Sequence, residues 1–208
     1  MYLPSHFEVN DPKALEDLIS KHPLGVLITQ GQQGLSANHL PFELDSKQGV
    51  NTLRAHVARN NPLWQEIADA DDVLIVFRAD DAYISPNWYP SKHETHQLVP
   101  TWNYRVVHVH GRIFVRDDEK YVRGVVARLT RKHESTENKP WRMTDSAPDY
   151  IDSMLESIVG IEIEVTRMVG KFKLSQNRKA DDRISAANTL IQKGEVTLGQ
   201  AMLDTSDA

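Results

Sequence analysis

Short extended runs joined by turns fill most of the first half of the chain, and this pattern constrains the fold more than any other feature. GVLITQ and LSANHLPFEL read as a hairpin around a glycine-containing turn, and NTLRAHVA alternates apolar with polar residues. VLIVF is a continuous apolar run typical of a buried strand. Because such runs do not alternate regularly with helices, they favour a small antiparallel barrel with helices packed outside over a doubly wound parallel sheet.

Helical patterns lie around these strands. Asp11 can cap a first helix, Pro12 occupies its first position, and His22-Pro23 ends it. We assign residues 1–175 to one barrel domain and residues 176–208 to a C-terminal helical extension of the same domain. Apolar periodicity predicts longer helices over approximately 118–132, 147–158, 178–192 and 195–203.

The composition is that of an ordinary globular protein. Of the 208 residues, 40% are hydrophobic and 25% are charged, so the chain can bury a substantial core. No apolar run is long enough to predict a membrane helix, and the first residues lack the pattern of a secretory signal. The sequence has no cysteine, which excludes disulfides and thiolate chemistry and makes the cytoplasm the expected compartment.

The stretch 85–111 is unusually rich in aromatic residues and prolines. The prolines fix backbone angles and remove hydrogen-bond donors, which predicts a shaped loop ahead of the strand TWNYRVVHVHGRIFVR. Lys92 is either a solvated loop lysine or a cation set among flat aromatic walls, and the second arrangement suits a planar, phosphorylated ligand. The aromatic walls would be Trp88, Tyr89, Trp102 and Tyr104.

Two further segments combine basic and amide side chains. In RAHVARNNP, residues 54–62, Arg54 and His56 share a strand face, and an asparagine can cap a short helix whose N-terminus favours an anion. In KFKLSQNRK, residues 171–179, two lysines and a serine share a strand face, and polar residues follow the strand. The plainer interpretations are a capped helix after a polar strand end and an edge strand protected by lysines.

A basic face on the helix predicted over residues 118–132 suggests a contact with nucleic acid. The net charge of −5 opposes general affinity for DNA, so any contact has to be local. The alternative is a solvated helix face that acidic residues elsewhere balance. The basic residues of this face are Lys120, Arg123, Arg128, Arg131 and Lys132.

Common catalytic and metal-binding signatures are missing from the sequence. Without a GxGxxG, GxxxxGK[ST] or GxSxG motif, a phosphate would have to be held by side chains and turn amides. HETH and HVH lack the spacing of HExxH, and we predict no metal site and no catalytic acid or base. Across neighbouring strands, His108 and His110 could pair with Glu162 and Glu164.

Ordered motifs are spread over about residues 1–200: MYLPSHFEV, ANHLPF, RAHVARNNP, YISPNWYPSK, VPTWNY with the following HVHG, and KLSQNR. Together they resemble the PaiB family of FMN-binding negative transcriptional regulators. The resemblance implies an α+β, mainly β fold: an FMN-binding split barrel, which is an antiparallel six-stranded-type barrel with peripheral helices. It also implies a homodimer with FMN at the subunit interface, residues 1–175 forming the FMN-binding domain.

The resemblance further implies which residues contact FMN. WYPSK implies a phosphate contact for Lys92, and KLSQNR implies contacts that can come from the second subunit. The implied cofactor-binding residues are Arg54, His56, Val57, Ala58, Arg59, Asn60, Lys92, Thr101, Trp102, Asn103, Lys173, Gln176 and Asn177.

The main functional hypothesis is an FMN-binding, PaiB-like negative transcriptional regulator that contacts DNA through its local basic face. A second hypothesis is an FMN-dependent oxidoreductase acting on a small molecule, in which the flavin supplies the redox chemistry. A third is a haem-binding split-barrel protein, which needs an axial histidine. The axial candidates are His6, His93, His96, His108 and His110.

Overall fold

The computed structural model of the chain describes residues 1–47 and 50–205. The strands are β1 (Glu8–Val9), β2 (Leu24–Gly31), β3 (Gly34–Pro41), β4 (Glu43–Lys47), β5 (Val50–Ala58), β6 (Asp71–Ile84), β7 (Thr101–Arg116) and β8 (Ile158–Lys173). The helices are α1 (Pro12–Lys21), α2 (Leu63–Glu66), α3 (Lys92–Thr95), α4 (Glu119–Glu134), α5 (Pro148–Glu156), α6 (Ala180–Gln192) and α7 (Val196–Leu203). Short 3-10 helices lie at Ser5–Phe7, Pro86–Trp88 and Met143–Asp145.

The strands form one sheet in the order β3-β2-β6-β7-β8-β5-β4, with β1 paired to β8. The pairings of β2 with β3 and β6, of β5 with β4 and β8, and of β1 with β8 are antiparallel. The described strands form an open path with β3 and β4 at its ends, and the short strands β1 and β4 add to six longer ones. The predicted antiparallel, mainly β organisation is therefore confirmed, and the sheet is not closed.

Local sequence features account for the ends of several elements. The hairpin of β2 and β3 turns ahead of Gly34, whose φ of 108° favours glycine. Pro41 ends β3, the edge strand where a missing N–H is tolerated. Asp118 caps α4, since its Oδ1 accepts a hydrogen bond from the N–H of Tyr121 at 2.8 Å. The predicted alternation of NTLRAHVA is confirmed by the buried side chains of Leu53, Ala55 and Val57. Along β7, Val107, Val109 and Ile113 are buried on one face, and Val115 on that face is partly buried.

The described chain divides into two compact units. The terminal unit comprises Met1–Leu18, Arg78–Val107 and the described residues from Val169 onward, and the central unit comprises the described residues of 19–77 and 108–168. Residues 206–208, the last of the proposed extension, lie outside the described residues.

In the terminal unit, α6 and α7 supply much of the core. Ala186, Ala187, Leu190, Leu198 and Met202 form one buried cluster with apolar side chains of β6, the 85–91 loop and the end of β8. The division at residue 175 stays a proposal, but these contacts make the C-terminal helices part of the unit's core.

The central unit has a core of its own around α4 and α5. Val122, Ile151 and Leu155 are buried together, and Ile158 packs against them. Gly111 on β7 marks a close backbone approach, because a Cβ there would lie 2.6 Å from the carbonyl oxygen of Glu164. Among the described residues, no helix is long and apolar enough to cross a membrane.

Candidate functional site

The predicted cofactor-binding residues fall into one group in each unit. Residues 54–60 of the central unit supply the first group. The second group, in the terminal unit, consists of Lys92, Thr101, Trp102, Asn103, Lys173, Gln176 and Asn177.

Lys173 is the centre of the terminal group. At the end of β8, its ammonium donates to Thr101 Oγ1 and, at 2.8 Å, to the carbonyl oxygen of Trp102. Partial burial lowers the pKa of Lys173, and the nearby positive charges of Lys171 and Arg178 lower it further. The recorded partners of Lys173 are neutral oxygens, so an anion bound here would offset the repulsion among these three cations.

Trp102 provides an exposed aromatic surface beside this cation. Its side chain is 54% exposed, and its ring meets that of Tyr83 edge-on, with the centroids 6.1 Å apart. A planar ligand can stack on such a ring without displacing core side chains.

Asn103 is fully buried at the start of β7. Its Nδ2 donates to Ser175 Oγ at 2.9 Å and lies 3.4 Å from Met202 Sδ. Its Oδ1 is buried without a hydrogen-bond partner within the described chain. Asn103 therefore ties β7 to the turn after β8, and it retains one acceptor that a ligand or a water molecule can satisfy.

The loop that carries Lys92 is anchored by a contact that the sequence does not reveal. Ser91 donates to the Asp182 carboxylate through its backbone N–H at 3.0 Å and its hydroxyl at 2.5 Å. Asp182 lies on α6 and is 2% exposed. Lys92 begins α3, and its ammonium donates to the neutral amide oxygen of Asn87. The anchor therefore fixes the position of Lys92 and leaves its charge unneutralised by that contact.

Tyr89 does not form one of the predicted ligand walls. Its side chain is 1% exposed and packs in the core of the terminal unit, with the Arg178 guanidinium over its ring. The tyrosine is buried because α6 and α7 cover this loop, which the local pattern of aromatic residues and prolines could not indicate.

The last two predicted residues lie in the turn after β8. The Gln176 side chain accepts from the N–H of Leu174 at 2.7 Å and donates to the carbonyl oxygen of Phe172 at 2.6 Å. Ser175 in the same turn has a φ of 68°. Gln176 thus stabilises the turn, and Asn177 is exposed.

In the central group, Arg54 belongs to a network of ion pairs. Its guanidinium donates to Asp45 Oδ2 at 2.6 Å and approaches Glu162 Oε2 at 3.5 Å. Arg116 donates to the other oxygen of Glu162 at 2.8 Å. Burial, with the charge of Glu162, raises the pKa of Tyr121 beside this network. Arg54 is therefore already paired with carboxylates. Glu162 pairs with arginines rather than with His108 or His110, the pairing that the sequence suggested.

Arg59 also has an internal partner. It forms a bidentate pair with Asp117, at 2.6 and 2.9 Å, and donates to the carbonyl oxygen of Glu156 at 2.6 Å. The hydrogen bond from Arg59 lowers the pKa of Asp117. The following helix α2 spans only four residues, and Asn61 Oδ1 caps it by accepting from the N–H of Leu63. This geometry agrees with the plainer interpretation of a capped helix.

His56, in the central group, lines a cavity beside α4. Burial lowers its pKa, which favours the neutral imidazole, and its Nδ1 is buried without a hydrogen-bond partner in the described residues. The cavity has a volume of about 310 Å³ and is also lined by His133, Glu134 and Trp141. The remaining central residues differ in exposure: the side chain of Val57 is buried, whereas Ala58 and Asn60 are exposed.

Within residues 1–47 and 50–205, no group of three or more potential ligands is placed to hold a metal ion. His110, from the HVH sequence, instead has its Nε2 3.1 Å from the Arg167 guanidinium. Burial lowers the pKa of both His108 and His110.

Comparison with known proteins gives a family match across most of the chain. Residues 1–167 match the family described as "Putative FMN-binding domain". A protein of Bacillus subtilis strain 168, "Protease synthase and sporulation protein PAI 2", is 30% identical over 190 residues, which are 91% of this chain and 89% of the relative.

Solved structures share the fold at low sequence identity. The FAD and heme binding protein from Mycobacterium smegmatis has a TM-score of 0.60 at 17% identity, with 86% of this chain and 79% of that chain covered. The flavocytochrome Anf3 from Azotobacter vinelandii has a TM-score of 0.58 at 12% identity, with coverages of 80% and 69%. These matches confirm the predicted split-barrel fold.

Together, the fold and the family match define a flavin-binding protein of the split-barrel class. The chain belongs to this family of FMN-binding domains, which its residues 1–167 match. Its similarity to PAI 2 confirms the predicted PaiB-like character. FMN is its cofactor, as the sequence motifs predict.

Proposed function

We propose that this protein is a PaiB-like, FMN-binding negative regulator of transcription that acts as a homodimer. The regulatory part of this proposal rests on the resemblance to the PaiB family, and the B. subtilis relative has a name that refers to protease synthase and sporulation. The assignment of FMN to particular residues rests on the environment of Lys173. This lysine is a partly buried cation with cationic neighbours and neutral hydrogen-bond partners.

In the proposed site, the FMN phosphate binds to Lys173 and Lys92, and the flavin ring contacts Trp102. Within the described residues, the ammonium groups of both lysines donate hydrogen bonds to neutral oxygens only. Thr101 and Asn103 position the start of β7 for this contact. The turn residues Gln176 and Asn177 complete this group in the terminal unit. For residues 54–60 of the central unit, contact with the flavin remains the expectation that the family resemblance gives. FMN supplies one- and two-electron redox chemistry when it is bound.

Replacing Lys173 with alanine is expected to weaken FMN binding by about 1–3 kcal/mol, because a charge-assisted phosphate contact is lost. Lys92→Ala should have an effect of the same size. Flavin fluorescence quenching measures both affinities, and riboflavin is the control because it lacks the phosphate. If FMN and riboflavin bind equally well to the native protein, the phosphate assignment is wrong. Lys193→Ala, a lysine over the Trp88 ring, should leave the affinity unchanged.

A homodimer is expected at micromolar concentration. The edge strand β3 and exposed apolar side chains such as Trp102, Tyr83 and Leu35 offer surfaces that a second copy can cover. Sedimentation of the FMN-loaded protein should give twice the chain mass of 23.6 kDa. A monomer that retains FMN would contradict a site shared between subunits.

Binding to DNA is expected to depend on only part of the basic face of α4. Arg123 pairs with Glu119 and Asp152, and Arg128 pairs with Glu43, so neither charge is free for a phosphate. We expect the slope of the logarithm of the binding constant against the logarithm of the salt concentration to become shallower when Lys120, Arg131 and Lys132 are replaced with alanine. The change should be about one unit per lost phosphate contact. The double variant Arg123→Ala/Arg128→Ala removes the two ion-paired arginines. It is the control and should change this slope less. Mobility shifts of an upstream DNA fragment over a salt series measure this.

The second candidate function is an FMN-dependent oxidoreductase acting on a small molecule. The ion pairs of Arg123 and Arg128 favour it, because they reduce the positive charge available to DNA. A dimer that binds no upstream DNA at low salt, yet catalyses FMN-dependent reduction of a small molecule, would establish this alternative.

The third candidate, haem binding, finds little support in the described histidines. His110 already contacts Arg167, and the side chain of His93 lies outside the described part of the structure. An absorbance spectrum of the purified protein, before and after addition of FMN, distinguishes flavin from haem because the two chromophores absorb differently.

A further inference from the structure

A cleft of about 630 Å³ lies beside the C-terminal half of α4, within the central unit. Ala127, Pro140 and Met143 contribute apolar surface, and the half-exposed indole of Trp141 contributes a flat aromatic one. This volume falls within the range of small-molecule sites, which are mainly apolar with a few placed polar groups. We refer to it as the Trp141 cleft.

Two arginines line the Trp141 cleft without a carboxylate partner. Arg131 comes from the last turn of α4, and Arg142 follows Trp141 in the chain. Neither guanidinium forms an ion pair within the described chain, whereas Arg123 and Arg128 on the same helix do. A guanidinium presents a planar set of donors that matches a carboxylate. The cleft therefore offers two unneutralised, carboxylate-binding groups beside an aromatic ring.

Glu134 sets a limit on the charge of the ligand. Its Oε2 accepts from the backbone N–H of Trp141 at 2.7 Å, which holds the backbone of Trp141 beside the end of α4. Its Oε1 has no recorded partner among the described residues. A carboxylate in the lining repels a second negative charge on the ligand, and its remaining oxygen can accept a hydrogen bond.

We propose that the Trp141 cleft binds an aromatic monocarboxylate that carries a hydrogen-bond donor, such as an amino- or hydroxybenzoate. The ligand ring stacks on Trp141, its carboxylate meets Arg131 and Arg142, and its donor reaches Glu134. The assignment does not depend on whether the protein regulates transcription or catalyses a reaction. It gives the protein a small-molecule site in addition to its cofactor.

FMN itself is the competing occupant. The 310 Å³ cavity shares Thr130, Glu134 and Trp141 with the Trp141 cleft and reaches His56, one of the residues that the family resemblance places near FMN. The test therefore has to separate binding of the carboxylate from binding of the flavin.

Calorimetric titration of 2-aminobenzoate into the full-length protein, with and without saturating FMN, tests the proposal. We expect saturable binding with a dissociation constant of about 1 mM or below in both forms, a strength suited to so small a ligand. Arg131→Gln/Arg142→Gln should weaken it at least about tenfold. Lys120→Gln/Arg112→Gln removes the same charge from exposed positions outside the cleft and should leave the affinity within about twofold.

Four results would overturn the proposal. They are the absence of saturable binding, displacement of 2-aminobenzoate by FMN, equal binding of neutral benzamide, and equal weakening by the two double variants. Trp141→Leu provides a second check, because loss of the ring should weaken 2-aminobenzoate binding in both the FMN-free and the FMN-loaded protein. Circular dichroism of each variant shows whether the fold is retained.

Discussion

Replacing Glu162 with glutamine is expected to lower the free energy of unfolding by about 3 kcal/mol. The Glu162 side chain is 17% exposed and accepts hydrogen bonds from Arg54 and Arg116, so its loss leaves the Arg116 guanidinium without a carboxylate partner among the described residues. Arg54 retains Asp45, whereas Arg116 retains only the ring of Phe114 among the recorded contacts. Urea denaturation followed by circular dichroism measures the change, with the m-value expected to stay constant.

The neighbouring strand residue Glu164 provides the matched control for Glu162. It is exposed on the same strand, so Glu164→Gln should change the free energy of unfolding by no more than about 0.5 kcal/mol. The double variant Glu162→Gln/Arg116→Gln should be less destabilised than the sum of its single variants. Equal effects at positions 162 and 164 would show that the network contributes nothing specific.

Replacing Asp182 with asparagine is expected to cost about 2–3 kcal/mol of unfolding free energy and to weaken FMN binding. Asp182 accepts from both the N–H and the hydroxyl of Ser91, and an amide can offer an acceptor to only one of these donors. The loop that holds Lys92 would then lose its anchor, so the phosphate contact would become less well positioned. Denaturation and flavin fluorescence titration give the two readouts.

Asp181 on the same helix is the control for Asp182. It is exposed, and Asp181→Asn should leave both the stability and the FMN affinity nearly unchanged. A positioning role also predicts that riboflavin affinity falls less than FMN affinity in Asp182→Asn. If both ligands weaken equally, the loop affects the flavin site in general rather than the phosphate in particular.

The fold was predictable because its signals are local. The glycine-containing turn between β2 and β3, the start of α1 after Asp11 and the alternation around Leu53 each reflect the conformation of a few successive residues. Such preferences depend only on short stretches of sequence, and the structure confirms them.

The site was less predictable because its contacts join distant segments. The basic character of Arg54 and Arg59 suggested an anion, but Asp45, Glu162 and Asp117 already partner them. Tyr89 was expected at a ligand wall and is instead covered in the core of the terminal unit. A single sequence does not state which carboxylate meets which cation, since each pairing depends on how the strands and helices come together.

The Trp141 cleft could not be found from the sequence either. Trp141 and Arg142 stand in a polar stretch that resembles an ordinary loop. Only the packing of this stretch beside α4 shows that the indole and Arg131 line the same cavity.

The anchoring of Ser91 by Asp182 has a consequence for the order in which the protein matures. The chain emerges from the ribosome with its N-terminus first. Asp182, the partner of Ser91, lies 91 residues further along the chain. The loop that we propose to bind the phosphate is therefore synthesised well before the carboxylate that holds it. Lys173 also emerges long after Lys92. At the proposed site, capture of the cofactor accordingly follows translation of almost the whole chain, and a nascent polypeptide interrupted before α6 would lack the anchor of this loop.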